Sequence, residues 1–168
     1  MTVPDPLLLA DREQRIADWG DTVQPVIYAA GTLYKFPLPV RVFRFRDTWD
    51  FDRFKVPLKD GETIVGQSRT GVAVFVEGQI ATQAGATKQT AAEMFAEVET
   101  MRSRLNANGT NGKFELFLFH DSATPYYRKF KACSTLRFEV NLSNENLFSY
   151  TAEIVSDDPV IHSTAEGL

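Results

Sequence analysis

The hydrophobic positions follow two different periods along the chain, which predict one long helix among many strands. Between residues 87 and 106, apolar side chains recur at three- and four-residue spacing, as on one side of a helix. Thr90 and Glu93 form a capping-box pattern, Thr87 is a competing first cap, and Asn108-Gly109 is a typical stop. The predicted helix therefore spans 87–106, and its predicted core-facing residues are Met94, Phe95, Val98, Met101 and Leu105.

A two-residue period predicts the strands around this helix. The run 72–81 is rich in valine on both parities, which is typical of a strand covered on two sides. Residues 113–119 alternate directly after the helix, and 26–29 and 40–46 are shorter strand patterns. Asp60-Gly61 between the runs 54–58 and 62–67 predicts a hairpin.

The last third of the chain shows the clearest alternation. From 130 to 142 most even positions are apolar and most odd positions are polar, and 148–154 alternates again after a turn at 144–146. This pattern predicts a long hairpin with one buried and one wet face, which lies at an edge that another chain covers. The fold class predicted from all elements is mostly β with one flanking α-helix (α+β), an antiparallel barrel or sandwich.

The two ends of the chain carry weaker patterns. Residues 1–25 predict either a short helix packed on its own domain or an N-terminal arm that docks on a neighbouring subunit through Leu8 and Trp19. One β-rich domain is predicted for residues 26–160, which suits a chain of 168 residues. Residues 161–168 are predicted to be a flexible tail.

Charge and cysteine usage exclude several classes of function. A net charge of −4 argues against a general binder of nucleic acid or anionic membrane. Arg41, Arg44 and Arg46 are therefore interpreted as solvated, or as paired with the aspartates that follow, rather than as a phosphate grip. The single Cys133 excludes an internal disulfide and is expected to be a buried, inert thiol. No apolar run is long enough for a membrane anchor.

Candidate chemistry is sparse. His120-Asp121 follows a strand end, where catalytic residues do occur, but no nucleophile or metal partner stands at a supporting spacing. We therefore expect no enzyme, no metal site and no cofactor. Two further hypotheses stay open: a small barrel that binds an apolar ligand in its interior, and an accessory enzyme using His120 and Asp121.

One order of elements extends over roughly residues 35–160. It comprises a hairpin at Asp60-Gly61, a valine-rich strand ending in EGQI, the helix AAEMFAEVETMRSRL, the strand FELFLF, a hairpin bearing Tyr126 and Tyr127, and a closing strand, FSYTAEIVSDDP. This order resembles the distal-tail and baseplate-hub proteins of tailed bacteriophages and related injection particles. The resemblance implies a tail-tube type of fold, a β-barrel or sandwich flanked by one helix.

The resemblance also implies a function and partners. It implies a structural component of the virion tail, assembled in the host cytoplasm, that forms a homohexameric ring at the distal end of the tail tube. Tail tube and baseplate hub proteins would be its partners, and DNA would pass through the lumen without specific binding. The inter-subunit contacts predicted on this basis are Leu8, Trp19, Phe138 and Tyr150. The sibling roles of tail tube subunit and tail terminator stay open.

Overall fold

The computed structural model describes residues 24–81, 83–84, 87–107, 111–120 and 127–163. Its helix α1 spans Ala91–Asn106. Its strands are β1 (Val26–Ala29), β2 (Thr32–Lys35), β3 (Val40–Arg46), β4 (Trp49–Phe54), β5 (Thr63–Arg69), β6 (Val72–Ala81), β7 (Gln83–Ala84), β8 (Thr87–Lys88), β9 (Phe114–His120), β10 (Tyr127–Asn141), β11 (Leu147–Ser156) and β12 (His162–Ser163).

One antiparallel sheet carries the fold. Its strand order is β2-β1-β9-β10-β11-β6-β3, and β12 adds to β10. Strands β4 and β5 pair only with each other, as do β7 and β8. The prediction of a mostly-β, antiparallel fold with one flanking helix is confirmed for the described residues.

The sheet is strongly curled. Phe45 on β3 and Phe130 on β10 are separated by two strands, so a flat sheet would hold their backbones about 14 Å apart at the usual strand spacing. Their ring centroids nevertheless lie 5.6 Å apart, edge to face. Tyr150 reaches across the same concave side and donates a hydrogen bond to the carbonyl oxygen of Pro37, at 2.8 Å. The concave side therefore closes on itself and holds the core.

Helix α1 covers this concave side. The structure buries four of its five predicted core-facing residues: Met94, Val98, Met101 and Leu105. The fifth, Phe95, is 45% exposed, so its prediction as a core residue is wrong. Phe95 directly follows Met94, and the turn of about 100° between consecutive helical residues carries its ring past the edge of the buried stripe.

The helix starts later than predicted. Thr90 is the N-cap: its hydroxyl accepts from the backbone N–H of Glu93 at 3.2 Å, and the Glu93 carboxylate accepts from the Thr90 N–H at 2.7 Å. Thr87 and Lys88 instead form the short strand β8, so the predicted start at 87 is wrong. The helix ends at Asn106, with Ala107 in the left-handed region at φ 46°. The hydrogen bonds at Thr90 hold the pKa of Glu93 below its usual range.

The cap offers a direct stability test. Thr90→Ala is expected to lower the free energy of unfolding by about 1 kcal/mol, because the N–H of Glu93 loses its acceptor. The matched control is Thr100→Ala in the helix interior, where the hydroxyl only bonds back to the carbonyl of Ala96. We expect that control to be neutral or slightly stabilising, since alanine is the better helix former. Urea unfolding followed by circular dichroism measures both, and equal losses would contradict the cap.

Two irregularities overturn the uniform alternation predicted for β10. The register with β9 shifts between Phe130 and Cys133, and the register with β11 shifts between Thr135 and Arg137. Cys133 is consequently buried at an odd position, while Leu136, predicted to face the core, is 63% exposed. Each bulge adds one residue to one strand and so exchanges its two faces.

The predicted hairpin edge is only partly covered within the chain. Strands β10 and β11 pair with each other as expected, and β11 pairs with β6 along its whole length. On its other side, β10 pairs with β9 only from Tyr127 to Cys133. From 134 to 141, β10 has no second partner strand among the described residues, so edge pairing of this segment with a neighbouring subunit stays a prediction.

Candidate functional site

A separate hairpin projects from the curled sheet between β3 and β6, which are neighbours in that sheet. We call residues 49–69 the arm; it consists of β4, β5 and their connection. Every residue of both strands is exposed. Large apolar side chains on the arm are exposed by 37–109%, and they are Trp49, Phe51, Phe54, Leu58, Ile64 and Val65.

The strands of the arm lie elsewhere than the sequence predicted. The first was expected at 54–58, but β4 ends at Phe54, and residues 55–62 form the connection. Gly61 and Leu58 both have positive φ there, at 95° and 64°. The signal that identifies β4 is the strict alternation Trp49-Asp50-Phe51-Asp52, which places the apolar and acidic side chains on opposite faces.

The two faces of the arm differ in charge. Cross-strand partners share a face, and the register pairs Trp49 with Arg69 and Phe51 with Gln67. The guanidinium of Arg53 lies 6.0 Å from the ring centroid of Phe51, on the same side. We call this the basic face; its residues are Trp49, Phe51, Arg53, Ile64, Gln67 and Arg69.

The opposite face is acidic. Asp50 pairs with Ser68, and the carboxylate of Asp52 lies beside Gly66, where an added Cβ would be 3.5 Å from it. Beyond the bulge between Phe51 and Arg53, the pair of Phe54 and Thr63 continues this side. We call this the acidic face; its residues are Asp50, Asp52, Phe54, Thr63 and Ser68.

Two of the predicted inter-subunit contacts are in the described part of the chain. Tyr150 is 1% exposed, and burial raises the pKa of its hydroxyl, which donates to Pro37. Its prediction as a contact is therefore wrong, because the curled sheet places its ring inside the core. Phe138 is half-buried in a groove between α1 and β10, with Glu99 and Arg102 on the helix side. Leu8 and Trp19 lie outside the described residues.

The arginines of β3 lie on the convex side of the sheet. The guanidinium carbons of Arg44 and Arg46 are 5.1 and 5.4 Å from the ring centroid of Phe75 on β6. Both side chains are exposed. Stacking on an aromatic ring stabilises a guanidinium while leaving its N–H groups in water. This arrangement agrees with the solvated interpretation of these arginines.

A second ionic group on the convex side is enclosed. Lys129 is 4% exposed and donates to Glu115 at 2.8 Å. Its ammonium nitrogen also lies 5.3 and 5.0 Å from the ring centroids of Phe117 and Tyr127. Lys129 and Glu115 therefore form an enclosed ion pair that connects β10 to β9 and has a structural role.

The candidate catalytic chemistry has little support in the geometry. Burial raises the pKa of the Cys133 thiol to about 12, so it is a thiol and not a nucleophilic thiolate at neutral pH. The His120 side chain and Asp121 lie outside the described residues. No cluster of three or more metal-ligating side chains occurs in the part of the chain that the structure describes. Among residues 24–163 as described, no helix has the length and apolar character needed to cross a membrane.

Comparison with known proteins identifies the fold. No protein-family model and no curated sequence matches the chain. A chain from the tail of an empty gene transfer agent (GTA) particle, refined with C6 symmetry, superposes with a TM-score of 0.54 at 10% identity; the match covers 85% of this chain and 96% of that one. This chain has the fold of a tail protein.

A second tail structure matches over part of its length. The Dit protein of phage SPP1, described as a hub of the adsorption apparatus in phages that infect Gram-positive bacteria, superposes with a TM-score of 0.52 at 14% identity. The match covers 80% of this chain but only 50% of the SPP1 protein. The fold is therefore shared over 80% of this chain, whereas half of the SPP1 protein has no counterpart in the match.

Proposed function

We propose that the chain is a structural subunit of a phage tail or related injection particle. In this proposal it forms a homohexameric ring at the distal end of the tail tube and connects the tube to baseplate hub or fibre proteins. Its location is the virion tail, after assembly in the host cytoplasm. DNA passes through the ring without being specifically bound, and the chain has no catalytic role.

The observation that supports this proposal most is the match to the GTA tail chain. The match covers 85% of this chain and 96% of the GTA chain, and the GTA tail was refined with six-fold symmetry. The surface chemistry agrees with a structural role. The described residues expose a group of large apolar side chains on a projecting hairpin, the arm, and such a surface is typical of a protein–protein contact. The sibling roles of tail tube subunit and tail terminator are compatible with the same fold.

The hypothesis of a barrel that binds an apolar ligand has less support. Large aromatic and aliphatic side chains fill the concave side, where such a ligand would lie. Those exposed by less than 2% include Phe36, Phe130, Tyr150, Met94, Met101 and Leu116. Interiors packed by side chains leave no room for a ligand of drug size.

The proposal predicts the mass of the purified protein. We expect light scattering to give about 113 kDa, six times the 18.9 kDa of one chain. Negative-stain images of the same fraction should show six-fold rings with a central hole. A monomer across the accessible concentration range would contradict self-assembly into a ring. A thermal-shift screen against apolar metabolites would then test the barrel hypothesis.

A further inference from the structure

We propose that the arm joins copies of this chain head to tail, with the basic face of one arm stacked on the acidic face of the next. The partner is thus a second copy, and the contact surface is the hairpin itself. The inference deepens the proposed function and rests on it in one respect. The arm contact itself does not require a ring, but its closure into a ring does require the proposed assembly.

The arm lacks an internal source of stability. A two-stranded hairpin is at best marginally stable in water, and neither β4 nor β5 pairs with the large sheet. Leu58 at its connection is fully exposed and has φ 64°, a conformation that costs a leucine about 1–2 kcal/mol. An exposed, strained, apolar hairpin is the kind of element that a partner surface completes.

The charges on the two faces are complementary. Arg53 and Arg69 lie on the basic face, whereas Asp50 and Asp52 lie on the acidic face. Within the described residues, Asp50, Asp52 and Arg69 make no ion pair, and Arg53 has only an exposed contact with Glu62 at 4.0 Å. Four charges are therefore available for pairing between chains.

Apolar contacts accompany the charges. The basic face exposes Trp49, Phe51 and Ile64 by 44, 37 and 57%, and the acidic face exposes Phe54 by 50%. When two arms stack, these side chains leave water together, which supplies most of the free energy of association. The charges then select one orientation, because stacking of two like faces would oppose charges of one sign.

The chemistry favours a second copy over other partners. A nucleic acid or an anionic membrane would meet the basic face only, and the acidic face would repel it. Two different faces on one element produce a heterologous contact, in which each copy uses both faces. Such a contact repeats from copy to copy and closes into a ring when the rotation fits.

Two charge variants test the contact by complementation. Asp50→Lys/Asp52→Lys makes both faces basic, and Arg53→Glu/Arg69→Glu makes both faces acidic. We expect each variant alone to lose the ring peak in light scattering, because every contact then opposes like charges. An equimolar mixture should restore the ring, since basic and acidic copies alternate and a six-membered ring closes with three of each.

The matched control changes charges outside the two faces. Lys55→Glu/Lys59→Glu alters the connection between β4 and β5, where both lysines are exposed. This variant should retain the ring. Melting temperatures of all variants should remain near that of the wild type, because the exposed arm adds nothing to the core. If both face variants still form rings, the arm contact is overturned and the proposed function stands.

Disulfide trapping separates the two proposals. Gln67 lies on the basic face and Ser68 on the acidic face, and the native Cys133 is fully buried and stays unreactive. Under oxidation, Gln67→Cys copies mixed with Ser68→Cys copies should form disulfide dimers, and neither variant should do so alone. If this mixture forms disulfide dimers while the wild type forms no ring, the result would support the arm contact and contradict the ring. No disulfide in the mixture would overturn the arm contact.

Discussion

Alanine in place of Gly78 is expected to lower the free energy of unfolding by about 3 kcal/mol, from overpacking and a lost hydrogen bond together. Gly78 lies on β6 directly opposite Tyr150 on β11. A Cβ at this position would overlap the hydroxyl oxygen and Cζ of Tyr150 and lie 2.8 Å from Cε1. The ring has nowhere to move, because it is 1% exposed, stacks on Phe36 and donates to Pro37.

A second glycine and a double mutant distinguish this clash from general strain. Gly61→Ala has no atom within 4 Å of the added Cβ, so its cost comes only from φ 95° and should be about 1 kcal/mol. Tyr150→Ala is destabilising by itself, but adding Gly78→Ala to it should cost almost nothing more. Chemical unfolding of the wild type, of Gly78→Ala, of Tyr150→Ala and of the double variant measures this cycle, and Gly61→Ala is measured beside it. Additive losses would contradict the proposed contact.

Phe130→Ala is expected to lower the free energy of unfolding by about 4 kcal/mol, whereas Phe95→Ala should cost about 0.5 kcal/mol or less. Phe130 is fully buried where β10 meets the core, so its removal leaves a cavity. Phe95 is 45% exposed on α1, so its removal exposes little new surface. The same substitution thus reports the two environments, and equal losses would place Phe95 in the core after all.

Phe130 also provides a test of the curl of the sheet. Phe45 on β3 contacts Phe130 edge to face across two intervening strands. A double-mutant cycle between Phe45→Ala and Phe130→Ala should give a coupling free energy of about 0.5–1.5 kcal/mol. A value near zero would mean that β3 and β10 do not meet in solution. Calorimetric or denaturant unfolding of the four proteins gives this coupling directly.

The proposed assembly depends on the surface and not on the core. The groove beside Phe138 and the arm are both exposed, but only the arm presents opposite charges on opposite faces. Its variants therefore separate folding from association: the core substitutions above change the free energy of unfolding, and the arm substitutions change the oligomeric state. A variant that altered both would link the arm to the stability of the domain.

Some elements were predictable because their signals are local. The bounds of β6 and the capping box at Thr90 and Glu93 agree with the sequence, since each follows from side chains within a few residues. The hairpin of β10 and β11 was predictable for the same reason, from alternation on both sides of a turn. The start of α1 was not, because Thr87 and Lys88 pair in the short strand β8 instead.

Other features depend on contacts between distant parts of the chain. The bulge at Leu136 has no signal in its own segment, since it follows from the register that β11 imposes on β10. Tyr150 lies in the apolar phase of its strand, which predicts a buried face, but only the curl of the sheet carries its hydroxyl to Pro37, which is 113 residues away in the chain. The exposure of β4 and β5 likewise depends on distant pairing, since β3 pairs with β6 and not with β4, which follows it in the chain.

The sequence by itself determined the class of fold, the one long helix with its cap, and the bounds of β6, because periodicity and capping are properties of neighbouring residues. The prediction that β6 is covered on two sides is wrong, because only alternate residues of the strand are buried. Only the tertiary structure decided the strand order, the register shifts of β10 and the isolation of the arm. Strand pairing joins segments that are far apart in sequence, and the free energy of each pairing depends on which other strands remain available.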